Sequence, residues 1–138
     1  MTTQTSSTTL ISLENQKYIS LTTFRRTGAT VATPVWFVQL QNTLYIYTAA
    51  TAGKVKRIRN NSQVELASCT MLGKVKGPII TGVARIVTDP QEQVQAETAL
   101  NAKYWLARRL LRLLYGTIRL FQGNKPATPL LYLAVNWN

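Results

Sequence analysis

The chain has 138 residues, of which 46% are hydrophobic, so it is long enough for one domain with a buried core. Its 16 basic and 5 acidic residues give a net charge of +11, which favours anionic partners such as nucleic acid, acidic membrane surfaces, or small molecules carrying phosphate or carboxylate groups. The sequence contains no histidine and one cysteine, which excludes histidine-dependent triads, histidine-ligated metals and internal disulfides.

Cysteine content and the first residues favour a cytoplasmic location. The single cysteine, Cys69, suits a reducing compartment and lies in an apolar run, where a core residue is expected. Residues 1–10 lack the basic and apolar regions of a secretory signal, so we expect a flexible polar tail followed by one domain at residues 11–138. No apolar run approaches the length of a membrane span, so we expect no membrane-crossing segment.

Six segments rich in β-branched and aromatic residues predict strands. They are residues 17–24, 30–40, 43–48, 63–71, 79–87 and 130–135. Gly28, and Gln41 with Asn42, predict turns between the first three segments. Pro34 interrupts the second segment, which indicates an edge or a bulge where the backbone can face a ligand, and Gly82 indicates a bulge in the fifth.

A short helix is predicted after the third strand. Val55 and Ile58 lie three residues apart and can share one buried face. Asn60 and Asn61 are expected to end the helix, because asparagine tolerates the left-handed backbone that terminates many helices.

A longer helix is predicted from Asp89 to about residue 116. Asp89 is the expected N-cap, Pro90 takes the first position, and Glu92 completes a capping box. Apolar residues then recur at helical spacing in two rows. The rows are Leu100, Tyr104, Ala107, Leu111 and Leu114, and Leu106, Leu110 and Leu113. Trp105 is expected to pack against the protein.

The charge at the start of the short helix is the most informative feature of the sequence. Helix N-termini favour Asp or Glu, yet Lys54, Lys56 and Arg57 occupy the first turns with no acid among them. Backbone N–H groups and cationic side chains at a helix start form a ready phosphate site. The alternative is a solvated basic face on a protein that is basic throughout.

Strands joined mostly by short turns predict a mainly β fold: a small antiparallel barrel with a short helix after strand 3 and a longer helix before the last strand. Side chains fill the interior of a barrel this small. A ligand site is therefore expected in an outer groove or at a subunit interface.

Three motifs follow one another along the chain: Thr33-Pro34-Val35-Trp36-Phe37, Leu44-Tyr45-Ile46-Tyr47-Thr48-Ala49 and Gly53-Lys54-Val55-Lys56-Arg57-Ile58-Arg59. In this order and spacing the sequence resembles the split-barrel flavin-binding superfamily, and within it the proteins related to pyridoxamine 5'-phosphate oxidase, many of which use the deazaflavin coenzyme F-420. The resemblance implies a six-stranded antiparallel split β-barrel of the FMN-binding type. It also implies a homodimer with the cofactor, FMN or F-420, in a groove between the subunits.

The resemblance implies a role for each motif. Lys54, helped by Lys56 or Arg57, would contact the cofactor phosphate, and Thr48 would donate its hydroxyl or backbone N–H to the same group. The backbone of residues 34–36 would lie along the flavin ring. The implied cofactor-binding residues are Thr33, Pro34, Val35, Trp36, Tyr47, Thr48, Gly53, Lys54, Lys56 and Arg57.

The chain departs from the oxidase that makes pyridoxal phosphate. Thr33 stands where that enzyme has an arginine, Gly53 replaces the arginine of a Ser-Arg-Lys run, and the histidine of a C-terminal substrate motif is missing. Pyridoxamine 5'-phosphate oxidation is therefore not expected. Gly53 removes one phosphate donor, whereas an acidic deazaflavin tail would suit Arg25, Arg26 and the basic helix, so FMN and F-420 both stay open.

Two classes of function follow. The first is an oxidoreductase whose cofactor moves a hydride to or from a small organic substrate, or a carrier or sensor with the same site. The acidic residues are scattered singly, so no catalytic side chain is assigned. The second is a single-stranded nucleic-acid binder, but aromatic residues make up only 9% and no strand interleaves them closely with basic ones, which argues against it.

A basic stripe on the longer helix stays open at this point. It consists of Arg108, Arg109 and Arg112. A solvated face is the simplest interpretation, and an acidic cofactor tail or a phosphate backbone are the alternatives.

Overall fold

The computed structural model describes residues 16–122 and 130–137, which hold seven strands and two helices. The strands are β1 (Ile19–Phe24), β2 (Thr30–Val35), β3 (Phe37–Leu40), β4 (Thr43–Ala49), β5 (Gln63–Ser68), β6 (Ile80–Ile86) and β7 (Leu130–Trp137). The helices are α1 (Gly53–Asn60) and α2 (Pro90–Gln122). The predicted tail at residues 1–10 and the domain boundary at residue 11 lie outside the described residues.

All seven strands form one antiparallel sheet in the order β2-β1-β5-β6-β7-β4-β3. β2 and β3 are its two edges, yet only Trp36 separates them in the chain. The sheet must therefore curl until its edges meet at this residue. The fold is mainly β and antiparallel, as predicted, and the curled sheet is broadly consistent with the predicted split barrel.

The predicted count of six strands was wrong, because the segment at residues 30–40 is two strands. Val35 still pairs with Ile19 of β1, whereas Phe37 already pairs with Ile46 of β4. Pro34 lies on an edge strand, where its missing N–H disturbs the ladder least. The short helix consequently follows strand 4 rather than strand 3, while the longer helix precedes the last strand as predicted.

The main core fills the inside of the curled sheet. Its most deeply buried members come from β1, β3, β4, β5 and β7: Ile19, Leu21, Phe37, Leu44, Ile46, Leu66, Leu133 and Val135. Val55 and Ile58 of α1 are also buried, as their spacing predicted. A second cluster on the outer face of β3 and β4 packs against Ala96, Leu100 and Tyr104 of α2.

Helix ends differ in part from the prediction. Asn61 does follow α1, but its φ of −146° and ψ of 109° are extended rather than left-handed. Asp89 caps α2, since its Oδ1 accepts the Gln91 N–H at 3.1 Å. Glu92 was predicted to complete a capping box, and its carboxylate instead binds Tyr45 and Arg85.

The predicted turn residues are confirmed, and the predicted bulge is not. Gly28 has a φ of 89° and Gln41 a φ of 56°, the left-handed values that tight turns require. Gly82 pairs in regular register with Val64 and Trp137. Glycine is needed there because a methyl group would lie 2.9 Å from the Asn136 carbonyl oxygen.

One face of α2 is exposed beyond a kink at Tyr104, where φ is −114° and ψ is 19°. Leu106, Leu110 and Leu113 are each more than half exposed, and Trp105 is 59% exposed, contrary to the packing predicted for it. None of the helices among the described residues is both long and apolar enough to cross a membrane.

Candidate functional site

The start of α1 carries no compensating negative charge. Its N-cap, Ala52, has extended backbone and no side-chain hydrogen bond, and no acid occurs in the first turn. The Val55 N–H donates to the Ala52 carbonyl at 3.1 Å, which begins the helical ladder. The positive end of the helix dipole and the basic side chains therefore act together on any anion placed here.

A groove of about 490 Å³ lies where α1 meets the β1–β2 turn, and we call it the cationic groove. Its lining residues are Arg25, Arg26, Thr27, Gly53, Lys56, Arg57 and Asn60. Four of these seven are cations and none is a carboxylate. Arg26 Nη2 donates to Asn60 Oδ1 at 3.3 Å, which joins the turn to the end of the helix. The chemistry of this lining fits a phosphate or carboxylate group.

Arg57 is the cation held most firmly in the groove. Its Nε donates to Thr23 Oγ1 at 2.6 Å, and Thr23 is fully buried on β1. The guanidinium lies against Gly53, since a methyl group at position 53 would be 2.8 Å from Nη1. Thr23 was not predicted, because nothing in the sequence connects a strand threonine with a helix residue 34 positions away.

Lys54 is partly buried and is not among the residues that line the groove, although it adjoins Gly53, which does. Burial, and then the nearby charge of Arg57, lower the pKa of its ammonium group. Two cations one helical turn apart repel each other, and a bound anion would relieve this repulsion.

The first two sequence motifs meet at the corner between β2 and β3. Since Phe37 pairs with Ile46, the preceding Trp36 lies beside Tyr47 at the end of β4, and both pack against the outer cluster. Val35 and Thr48 are buried, while Pro34 is exposed. Thr33 Oγ1 is buried without a hydrogen-bond partner among the described residues.

Trp36 stacks on Tyr104 with ring centroids 4.6 Å apart and an interplanar angle of 4°. The Tyr104 hydroxyl accepts the Phe37 N–H at 3.1 Å and lies 2.8 Å from the carbonyl oxygens of Phe37 and Lys17, which share its single proton. Burial raises the pKa of Tyr104 to about 12. One face of Trp36 is thus covered by protein.

A family model described as pyridoxamine 5'-phosphate oxidase matches residues 10–121. A comparison with curated proteins gave no match.

Solved structures with the same fold include proteins of different function. The heme storage protein of Vibrio cholerae has a TM-score of 0.61 at 17% identity, covering 90% of this chain and 83% of its own. An F-420 reductase has a TM-score of 0.58 at 19% identity, with 92% and 91% covered. An FAD-binding protein of Mesorhizobium loti has a TM-score of 0.57 at 12% identity, with 96% and 89% covered.

At such low identities the structural likeness shows the fold alone, whereas the family model spans most of the sequence. The chain therefore belongs to the pyridoxamine 5'-phosphate oxidase family.

Proposed function

We propose that the protein binds FMN or F-420 and acts as an oxidoreductase that moves a hydride to or from a small organic substrate. The observation that carries this proposal is the cationic groove that runs along α1, a helix with no acid in its first turn. A flavin-type cofactor brings a phosphate to such a groove, and F-420 brings an acidic tail as well. The F-420 reductase and the FAD-binding protein with this fold support the cofactor class.

The proposed roles follow the positions of the residues. Lys56 and Arg57 line the groove and bind the anionic group, with Lys54 and Thr48 contacting it from beside the groove. The corner at residues 34–36 positions the ring and helps to exclude water. The ring, when bound, supplies the hydride chemistry, so the protein needs to bind and orient rather than to provide an acid or base.

A homodimer is part of the proposal. The exposed apolar residues of α2, Trp105, Leu106, Leu110 and Leu113, offer a surface that a second copy can cover. Sedimentation of the purified protein at micromolar concentration is expected to give a dimer, and a monomer at all concentrations would contradict it.

We also propose the cytoplasm as its location, in keeping with the single buried thiol of Cys69.

The binding site is tested by titrating FMN and F-420 into the protein and following fluorescence. Lys54→Ala should weaken binding about tenfold or more, because one charged contact is lost. Arg59→Ala is the matched control, since Arg59 is an exposed cation in the last turn of the same helix, away from its N-terminus. Equal affinities of the two variants would remove Lys54 from the site, and no binding of either cofactor to the wild type would refute the proposal.

A carrier or sensor with the same site is the second candidate, and the heme storage protein of this fold favours it. Rapid bleaching of the bound cofactor by NADPH, or reoxidation of the reduced cofactor by a quinone, would support turnover. A cofactor that binds tightly but exchanges electrons with neither would favour the carrier.

A further inference from the structure

Arg57 fills the space that a side chain at position 53 would occupy. Side chains of a helix point back toward its N-terminus, so a residue one turn further on covers the first turn. Here the guanidinium reaches Gly53, with Nη1 at 2.8 Å, Cζ at 3.5 Å and Nη2 at 3.7 Å from where a methyl group would stand. Any residue other than glycine at this position would push the guanidinium away.

Thr23 holds this guanidinium by one neutral contact. Its Oγ1 accepts Arg57 Nε at 2.6 Å, while its own proton has only the Val31 carbonyl at 3.5 Å. Within the described ranges the one ion pair joins Arg85 to Glu92, so no carboxylate neutralises Arg57 there. The terminal nitrogens Nη1 and Nη2 lie over Gly53, and both Arg57 and Gly53 line the cationic groove.

We propose that Thr23 is a positioning residue for anion binding, which orients the Arg57 guanidinium across Gly53 so that its two terminal nitrogens meet the anion. The inference rests on the proposed function and adds to it. It also gives Gly53 a role. Because glycine has no side chain, the Arg57 guanidinium from the next turn fits over position 53. It takes the place of the phosphate donor that an arginine at position 53 would provide. The ligand group is a phosphate, and a carboxylate presents a similar pair of oxygens to the same fork.

The test compares FMN with riboflavin, which has the same ring and no phosphate. The wild type should prefer FMN. Thr23→Val, which keeps the shape and removes the hydroxyl, should weaken FMN binding by about threefold to tenfold and leave riboflavin binding unchanged. Thr23→Ser keeps the hydroxyl and should restore the preference for FMN. A Thr23→Val protein with the wild-type ratio of the two affinities would overturn the inference while leaving the proposed function intact.

Gly53→Ala provides a second route that leaves the buried Thr23 untouched. Alanine favours helix more than glycine, which offsets part of the cost of losing the Arg57 hydrogen bond to Thr23, so this variant should fold, and its thermal unfolding is measured beside its binding. It should nevertheless bind FMN about threefold to tenfold more weakly, since the methyl group displaces Arg57. Unchanged FMN affinity in Gly53→Ala would overturn the inference even if Thr23→Val failed to fold. Failure of the wild type to bind either FMN or F-420 would overturn the proposed function, and this inference with it.

Discussion

Glu92 shows how a single carboxylate connects α2 to the sheet. Tyr45 Oη donates to Glu92 Oε2 at 2.7 Å, and Arg85 donates to both carboxylate oxygens at 2.8 and 2.5 Å. The bonds from Arg85 and then Tyr45 lower the pKa of Glu92 to about 2. Burial, and then Glu92, raise the pKa of Tyr45 to about 12. The charged carboxylate is therefore stabilised by folding.

The sign of the resulting pH dependence follows from this lowered pKa. The contribution is fully present above the unfolded value near 4.5 and is lost as the pH falls through about 2. Glu92→Gln should lower the free energy of unfolding by about 1 kcal/mol near neutral pH, because Arg85 is half exposed and water screens part of the pair. The difference from the wild type should disappear as the pH approaches 2. Urea denaturation across this range measures it.

Glu97→Gln is the control for this prediction, since Glu97 is an exposed carboxylate on the same helix. Equal losses in the two variants, or a Glu92→Gln loss that persists near pH 2, would show that the Arg85 pair does not stabilise the fold.

At the scale of elements, Tyr104 joins three parts of the fold. It lies at the kink of α2, stacks on the residue that separates β2 from β3, and binds the backbone of Phe37 and of Lys17 just before β1. Phe37 is buried, so its N–H is left without a hydrogen-bond partner when the Tyr104 hydroxyl is removed. The corner and the kink are therefore fixed together.

Tyr104→Phe should accordingly destabilise the protein by about 1–3 kcal/mol, because a buried donor loses its partner while the ring stays in place. Amide exchange at Phe37 should speed up more than exchange in the centre of β1. Trp105→Phe, at the neighbouring exposed position, should change stability little. A Tyr104→Phe protein as stable as the wild type would show that water replaces the hydroxyl.

Sequence patterns predicted these elements well where the signal is local. The strands, both helices and the Asp89 cap depend on neighbours a few residues apart. The break at Trp36 has no such signal, since it arises from pairing with β1 on one side and β4 on the other. Glu92 illustrates the same limit: its position in a capping box is local, whereas Tyr45 and Arg85 reach it through the fold.

The candidate site divides in the same way. The basic start of α1 was evident from the sequence, and Lys56, Arg57 and Gly53 do line one groove with Arg25 and Arg26. The hydrogen bond by which the buried Thr23 holds Arg57 was not evident from the sequence, because a threonine on the inner face of a strand has no distinguishing sequence pattern. The ligand roles of the ten predicted residues remain predictions.

For the whole molecule, the charge of +11 should govern how anionic cofactors bind. A surplus of positive charge raises the local concentration of anions, and salt screens this effect over about 10 Å or less. FMN affinity should fall by about fivefold between about 0.05 and 0.5 M salt, while riboflavin affinity stays nearly constant. Titrations of both ligands at a series of salt concentrations measure the contrast, and an FMN affinity independent of salt would place the phosphate away from the basic surface.

β7 lies between β6 and β4 in the sheet although it comes last among the described strands. Until it is in place, β4 and β6 each have an open edge, and the two halves of the sheet are joined through the backbone at Trp36 and through the segment that carries α1 between β4 and β5. A nascent chain truncated before Leu130 would thus present two unpaired ladders to other chains, the usual route to aggregation. We therefore expect the chain to be most prone to aggregation before β7 has paired with β4 and β6.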